Sequence, residues 1–272
     1  MISISTEESV PDHNADPKAF GLRFLPMPTI TDSAICIRRW DYSETSQTVS
    51  LFARAHGVLR GIAKGSKRAK GKFSGGIDLL TCGQVVAIVK PNRDLATITE
   101  WHLEELYRAL RQRLAANRAG LYMADLIHHM LSEHDPHPQL FDEFRRSLAT
   151  LQDTDQVALT LLRFQWSILS ETGYRPQLDH DAQTGRPFDA ESSTLAFSAA
   201  AGGVVADTGA GDRWRVRQET IALLRAVAGG ESVDTLDASA VDRANRLLGA
   251  YIREVLGAEP KAMTWAFPDP GP

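Results

Sequence analysis

The sequence predicts an α+β protein: a small closed β-barrel, then an all-α helical domain carrying an insertion. Three observations predict it. Five short β-rich runs with turns between them fill residues 33–104. After Glu104 the apolar residues recur at helical spacing. A tract rich in Gly, Ala, Asp, Ser and Thr, 174–212, then interrupts the helical part, 105–264.

Residues 1–32 hold prolines and mixed polar residues without lasting periodicity, and read as a flexible arm or a misplaced start. The five expected strands are Ala34–Trp40, Thr48–Ala55, Val58–Lys64, Gln84–Lys90 (ended by Pro91-Asn92) and Ala96–His102. Leu106, Leu110, Leu114, Leu121 and Leu126 open the helical pattern, and Gly120–Leu131 reads as a second helix stopped near Asp135-Pro136. Gln139–Leu151 is a third. Asp155 is the expected N-cap of a long apolar helix over Gln156–Thr172, which Gly173 stops. Helices over Arg213–Val227 and Ala238–Leu256 follow the insertion, and 265–272 is a tail.

The chain has 272 residues, 30 Lys+Arg against 34 Asp+Glu, and 43% hydrophobic residues, the composition of an ordinary soluble protein. No apolar run is long enough to span a membrane, and the N-terminus does not read as a secretory signal. Cys36 and Cys82 read as buried thiols in a reducing compartment. The expected location is cytoplasmic and nucleoid-associated.

The charge is unevenly placed. Thr45 to Ile77 contains Arg54, Arg60, Lys64, Lys67, Arg68, Lys70 and Lys72 and no acidic residue. Without that segment the balance is 23 against 34. Such polarity suits a polyanion, and nucleic acid is the commonest one. A solvated lysine-rich loop is the plain alternative. A nucleotide-binding P-loop is excluded by spacing: five residues separate Gly65 from Gly71, and Phe73 stands where Ser or Thr is required. Trp40, Tyr42 and Phe73 border turns or the basic loop and are the candidates for base stacking, with core packing the alternative for each; Phe52 reads as core.

Other constellations are weaker. His128, His129, Glu133, His134, Asp135 and His137 cluster, but no HExxH is present and Asp135-Pro136 breaks the helix. His180, Asp181 and Asp207 suit turns better than a hard cation. No nucleophile elbow, activated cysteine or diagnostic carboxylate pair is present, so the chain reads as a binding protein without catalytic residues, cofactor or metal. An RNA-binding barrel and a metal-dependent nucleic-acid enzyme are the rivals.

Ile37-Arg38-Arg39-Trp40-Asp41-Tyr42-Ser43-Glu44-Thr45 and the run Leu51 to Gly65 (LFARAHGVLRGIAKG) resemble the first three strands of the RecO family, bacterial recombination mediators. Leu169 to Leu178 (LSETGYRPQL) resembles the segment entering that family's zinc module, and Leu256-Gly257 with Lys261 resembles its C-terminal tail. The resemblance implies an OB-fold barrel that binds single- and double-stranded DNA, strand annealing without ATP, capture of the C-terminal tail of single-stranded DNA-binding protein (SSB), and loading of RecA together with RecR. The DNA-binding residues would be Arg38, Arg39, Arg54, Arg60, Lys64, Lys67, Arg68, Lys70, Lys72 and Phe73. An acidic tail ending in Phe would meet Arg108, Arg111, Arg118, Arg145 and Arg146, near Leu110, Leu114, Phe141 and Phe144. Many members carry two CxxC pairs in the insertion, where this chain has Asp181, Thr184, Ala206 and Gly209. No thiolate zinc site is possible with these residues. The cysteine-free, zinc-module-like insertion is therefore expected to be loose.

Overall fold

The computed structural model describes residues 29–68, 71–73, 75–90, 93–153, 156–188, 195–231 and 237–267. Most of the expected arm, Lys70, Pro91-Asn92, the Asp155 cap and 268–272 lie outside them.

Five strands close into a barrel: β1 (Thr29–Asp41), β2 (Gln47–Ala53), β3 (Gly57–Ala63), β4 (Thr81–Ile88) and β5 (Ala96–Leu106). Their order around it is β1-β2-β3-β5-β4, with β4 returning to β1. Only the β3–β5 contact is parallel. β1 starts before the expected barrel boundary, because Thr29–Asp32 pair with Val85–Ile88; those four residues are strand, not arm. β5 likewise runs on to Leu106, where its end pairs with Thr81.

The period of two in β1 explains how the barrel meets the helices. Ala34 and Cys36 point into the barrel with Val49, Leu51, Leu59 and Val85. Ile35 and Ile37 point the other way, into the helical core with Cys82 of β4. The two cysteines therefore belong to opposite sides of one sheet and are both free. Burial pushes the Cys36 thiol up to about 12 and that of Cys82 to about 11. Native protein at pH 8 should thus leave both unmodified by a disulfide-exchange reagent, with both reacting after denaturation. Rapid labelling of either in native protein would contradict this burial.

The helical part begins with a 3-10 turn (Arg108–Arg111), followed by α1 (Leu114–Met130), α2 (Pro138–Asp153) and α3 (Val157–Glu171). The two helices expected between Leu106 and Leu131 are one. Gly120 is no break: it lies buried within α1, where an added Cβ would sit 3.0 Å from Leu80 and 3.1 Å from Leu110. α4 (Gln218–Ala228) and α5 (Ala238–Leu256) complete the domain, with a short α6 (Met263–Ala266). α5 has the expected bounds: Asp237 accepts a hydrogen bond from the Ser239 N–H at its start, and Gly257, at φ 64°, ends it.

Barrel and helices are joined by more than side chains. Val58 bridges Glu133, and the His134 N–H donates to the Val58 carbonyl. Gly57 makes this approach possible, since a Cβ there would lie 2.2 Å from the Asp135 carbonyl oxygen. Phe52, core as expected, meets Phe141 of α2 edge-on at 5.6 Å.

A three-stranded sheet follows α3: β6 (Leu195–Ser198) and β7 (Gly203–Ala206) lie within the expected insertion and β8 (Trp214–Val216) just past its expected end at 212, in the order β7-β6-β8. The expected helix over Arg213–Val227 therefore begins late, because Trp214–Val216 pair with β6. The described part of the insertion is not loose. Leu178, Leu195, Phe197 and Val204 belong to the same buried cluster as the helices. Phe197 stacks on Trp214 at 5.9 Å and meets Tyr251 of α5 edge-on at 5.2 Å. Its apolar side chains share the main core, so close packing ties it to the helices.

Candidate nucleic-acid interface

The basic loop after β3 is pinned from within. Gln47 at the start of β2 is 1% exposed; its Oε1 accepts from the Ser66 hydroxyl and the Ile77 N–H, and its Nε2 donates to the Ile77 carbonyl. The Ser46 hydroxyl accepts from the Gly65 N–H, and the Thr45 carbonyl from the Lys67 N–H. The Trp101 N–H donates to the Lys72 carbonyl. Phe73 then drops into the barrel, 6% exposed, among Ile77, Ile98 and Trp101. This corrects the expectation for Phe73. A ring that plugs the barrel does not stack on a base; it anchors the loop. Trp40 and Tyr42 are exposed, at 49% and 64%.

The segment without acid in sequence meets acid in space. Arg54 makes a two-pronged pair with Asp142 of α2, at 2.8 Å on each arm, and Arg60 reaches Glu133 at 3.1 Å. Lys67 pairs with Asp41 at 2.6 Å, and Lys72 with Glu100. Arg39 lies 3.3 Å from Asp78. Arg38 donates to the buried Asp125 at 2.5 Å; the other oxygen of that carboxylate accepts from the Ala262 N–H. Arg38, Arg54 and Arg60 thus spend their charge on joining barrel to helices. Lys64 and Arg68 are exposed, and among the described residues no carboxylate lies within ion-pair distance of either. Lys70 lies outside the described residues.

Arg39, Lys67 and Arg111 come from three distant segments to line one cavity of about 570 Å³, with Leu103 and Leu106 of β5 on its wall. Asp78 bridges Arg39 and Arg111, the latter at 2.6 Å. The three cations share Asp41 and Asp78, which leaves the cavity net positive. Leu103 and Leu106 are 46% and 36% exposed. Sequence reasoning missed Gln47, Ser66 and the two aspartates. The buried glutamine alone left a trace, as a polar residue opening an apolar strand.

The five arginines expected to hold a partner tail do not form one surface. Arg111 belongs to the barrel cavity. Arg145 is tied to Glu105 of β5, which holds the Glu105 carboxyl below its usual range, and Arg146 to Glu143. Phe141 and Phe144 are fully buried and offer no pocket. Arg108, exposed on the 3-10 turn, and Arg118, half-buried on α1, remain; Leu114, one helical turn before Arg118, is 63% exposed.

The four positions where the resemblance implies zinc ligands do not fit the metal. Asp181 is 8% exposed, and its carboxylate already accepts from the N–H groups of Gln183, Thr184 and Ala206 and from the Thr184 hydroxyl. Neither Ala206 nor Gly209 has a donor side chain. Among the described residues no group of three His, Cys, Asp or Glu side chains could hold a metal, and no helix is long and apolar enough to cross a membrane.

Residues 27–107 match the family model "Recombination protein O N terminal", and residues 95–264 match "Recombination protein O C terminal". A DNA repair protein RecO of Rhodopirellula baltica is 33% identical over 174 residues, 64% of each chain. One from Salinibacter ruber is 31% identical over 160 residues, 57% of this chain and 62% of that one. The matched region thus spans just under two thirds of either relative. One from Dehalococcoides mccartyi is 25% identical over 238 residues, covering 85% of this chain and 92% of its own.

Proposed function

The chain belongs to the RecO family of DNA repair and recombination proteins, and from that premise we propose that it binds DNA through the net-positive end of an OB-fold barrel and anneals complementary strands without ATP. The observation that carries this is the convergence of Arg39, Lys67 and Arg111 on one cavity beside the exposed Lys64 and Arg68. Cations of this kind neutralise phosphate and release its counterions, without regard to sequence. Two strands held on one such surface repel each other less, so pairing proceeds. No catalytic group is needed, since base pairing supplies the driving force. In the cell the reading implies single strands coated by SSB as substrate and RecR as the partner for loading RecA. The insertion keeps the place of a zinc module while using a carboxylate instead of the metal.

The test is annealing of labelled complementary strands in EDTA without nucleotide, bare and coated with SSB. The protein should speed both, and leave the strands uncut when Mg²⁺ or Mn²⁺ is added. Annealing no faster than in buffer would overturn the reading, and cleavage would favour a nuclease.

A partner tail, acidic and ending in Phe, is proposed to meet Arg108 and Arg118, with its ring against Leu114. Arg108→Ala with Arg118→Ala should weaken a fluorescent tail peptide about tenfold, roughly the worth of one charge-assisted hydrogen bond. DNA affinity should hold. Equal loss of both ligands would mean one shared surface.

A further inference from the structure

A second cavity, of about 250 Å³, opens where β1, α1 and the C-terminal turn meet. It is smaller than the pockets of about 300–1,000 Å³ that take drug-sized ligands. Its apolar lining is Ile37 of β1, Leu79 just before β4, and Leu121 of α1. Trp40 and Trp265 both line it and are 49% and 50% exposed. Two half-exposed indoles at one small cavity are unusual, because large apolar rings are mostly buried. Trp101 and Trp166, at 1% and 7%, follow the ordinary pattern.

The charge around these rings is positive. Arg39, whose guanidinium shares Asp78 with Arg111, and the exposed Lys261 line the notch. The one carboxylate in it, Asp125, is already occupied by Arg38 and the Ala262 N–H. Arg39 also lines the larger basic cavity, so the two openings are joined through a single side chain. Flat aromatic faces with cations at their side, continuous with a phosphate-binding surface, are the arrangement that receives single-stranded nucleic acid.

We propose that an unpaired nucleobase of a bound single strand stacks on Trp40 and Trp265 in this notch, with its flanking phosphates on Arg39 and Lys261. The inference rests on the DNA-binding reading above and adds a site at which single strands are told from duplex. A duplex keeps its bases stacked inside and presents only phosphate to the two rings. The notch thereby leads the strand off the barrel onto the C-terminal turn. Asp125 keeps that turn in place.

The experiment compares a 15-nucleotide oligo(dT), the same strand with abasic residues throughout, and a 15-bp duplex, binding to the full chain. Wild-type protein should bind oligo(dT) about tenfold more tightly than the abasic strand, the worth of roughly one base stack. Trp40→Ala with Trp265→Ala should lose that tenfold while binding the abasic strand and the duplex as before, with an unchanged salt slope. Trp40→Phe with Trp265→Phe should recover most of it. The wild-type comparison of the two strands needs no variant, so it stands even if the double variant folds poorly. Equal affinity of wild-type protein for oligo(dT) and the abasic strand overturns the notch while leaving DNA binding on the barrel intact. Loss of an acidic Phe-ended peptide in the double variant, with oligo(dT) binding kept, would overturn it in favour of a peptide site. Failure of wild-type protein to bind any strand defeats the DNA-binding reading itself.

Discussion

Exchanging Lys64 and Arg68 for Glu is expected to lower affinity for single-stranded DNA about 40-fold at 0.1 M salt. The size follows from counterion release. Each phosphate contact contributes about 0.7 to 0.9 to the slope of log affinity against log salt, and at 0.1 M one unit of slope is tenfold. Two lost contacts remove roughly 1.4 to 1.8 of slope, or about 25- to 60-fold. These two cations are chosen because both are exposed and neither has a carboxylate beside it among the described residues. Lys67 is a poorer choice, since Glu there would face Asp41 and disturb the turn that holds the loop. Arg54 serves as the control. Its guanidinium is held on both arms by Asp142, which raises its affinity for the proton and holds the Asp142 carboxyl down. Arg54→Ala should therefore leave DNA affinity and salt slope close to wild type, because Asp142 already meets its charge. Anisotropy titrations over a salt series read both slope and affinity. An unchanged slope in the Lys64/Arg68 variant would place the interface elsewhere.

The contrast between Lys64 and Arg54 also shows what could be read in the sequence. Strand and helix types follow from periodicities of 2 and 3.6, which are local, so the five strands and α5 were legible. The basic segment was legible as a run. What each cation does was not, because its partner is supplied by residues far along the chain. Asp142 and Glu133 stand 88 and 73 positions from Arg54 and Arg60. A sequence that is free of acid over Thr45 to Ile77 folds against acid from β1, β5, the loop after α1, and α2. Phe73 failed for a related reason. Its neighbours in sequence are Lys and Gly, which suggest an exposed loop, while its neighbours in space are Ile77, Ile98 and Trp101. Gly120 misled in the opposite direction, since a glycine placed for close packing looks in sequence like a break. Trp265 sat in a stretch taken for a tail, and only the return of the chain past α1 brings it beside Trp40.

The insertion carries the remaining large effect. Asp181→Ala is expected to destabilise the protein by about 3 kcal/mol, the order of a hydrogen-bonding site built on a charged, buried acceptor. One carboxylate gathers four donors here. Its Oδ1 accepts from the N–H groups of Gln183 and Thr184, closing the 181–184 turn, and its Oδ2 accepts from the Ala206 N–H at 2.9 Å, tying that turn to β7. Burial pushes the Asp181 carboxyl up, but the donors of Ala206, Thr184 and Gln183 together outweigh it and hold it below the ordinary range. A carboxyl depressed in the folded state stabilises at every pH above its unfolded value of about 3.9, and the stabilisation is lost as pH falls through the folded value. The melting temperature of Asp181→Ala should therefore lie roughly 6 to 12 °C below wild type at pH 7, and the gap should narrow below about pH 4. Asp181→Asn keeps the shape but turns an N–H₂ toward one set of donors, so it should recover only part of the loss. Because Phe197 of the same insertion is fully buried against Tyr251, the loss should appear in the main unfolding transition and not as a separate early one. A chelator should leave the wild-type transition where it was, and elemental analysis should show no stoichiometric zinc. A chelator-induced drop in melting temperature, or a variant as stable as wild type, would show that the carboxylate is not what holds these two turns together.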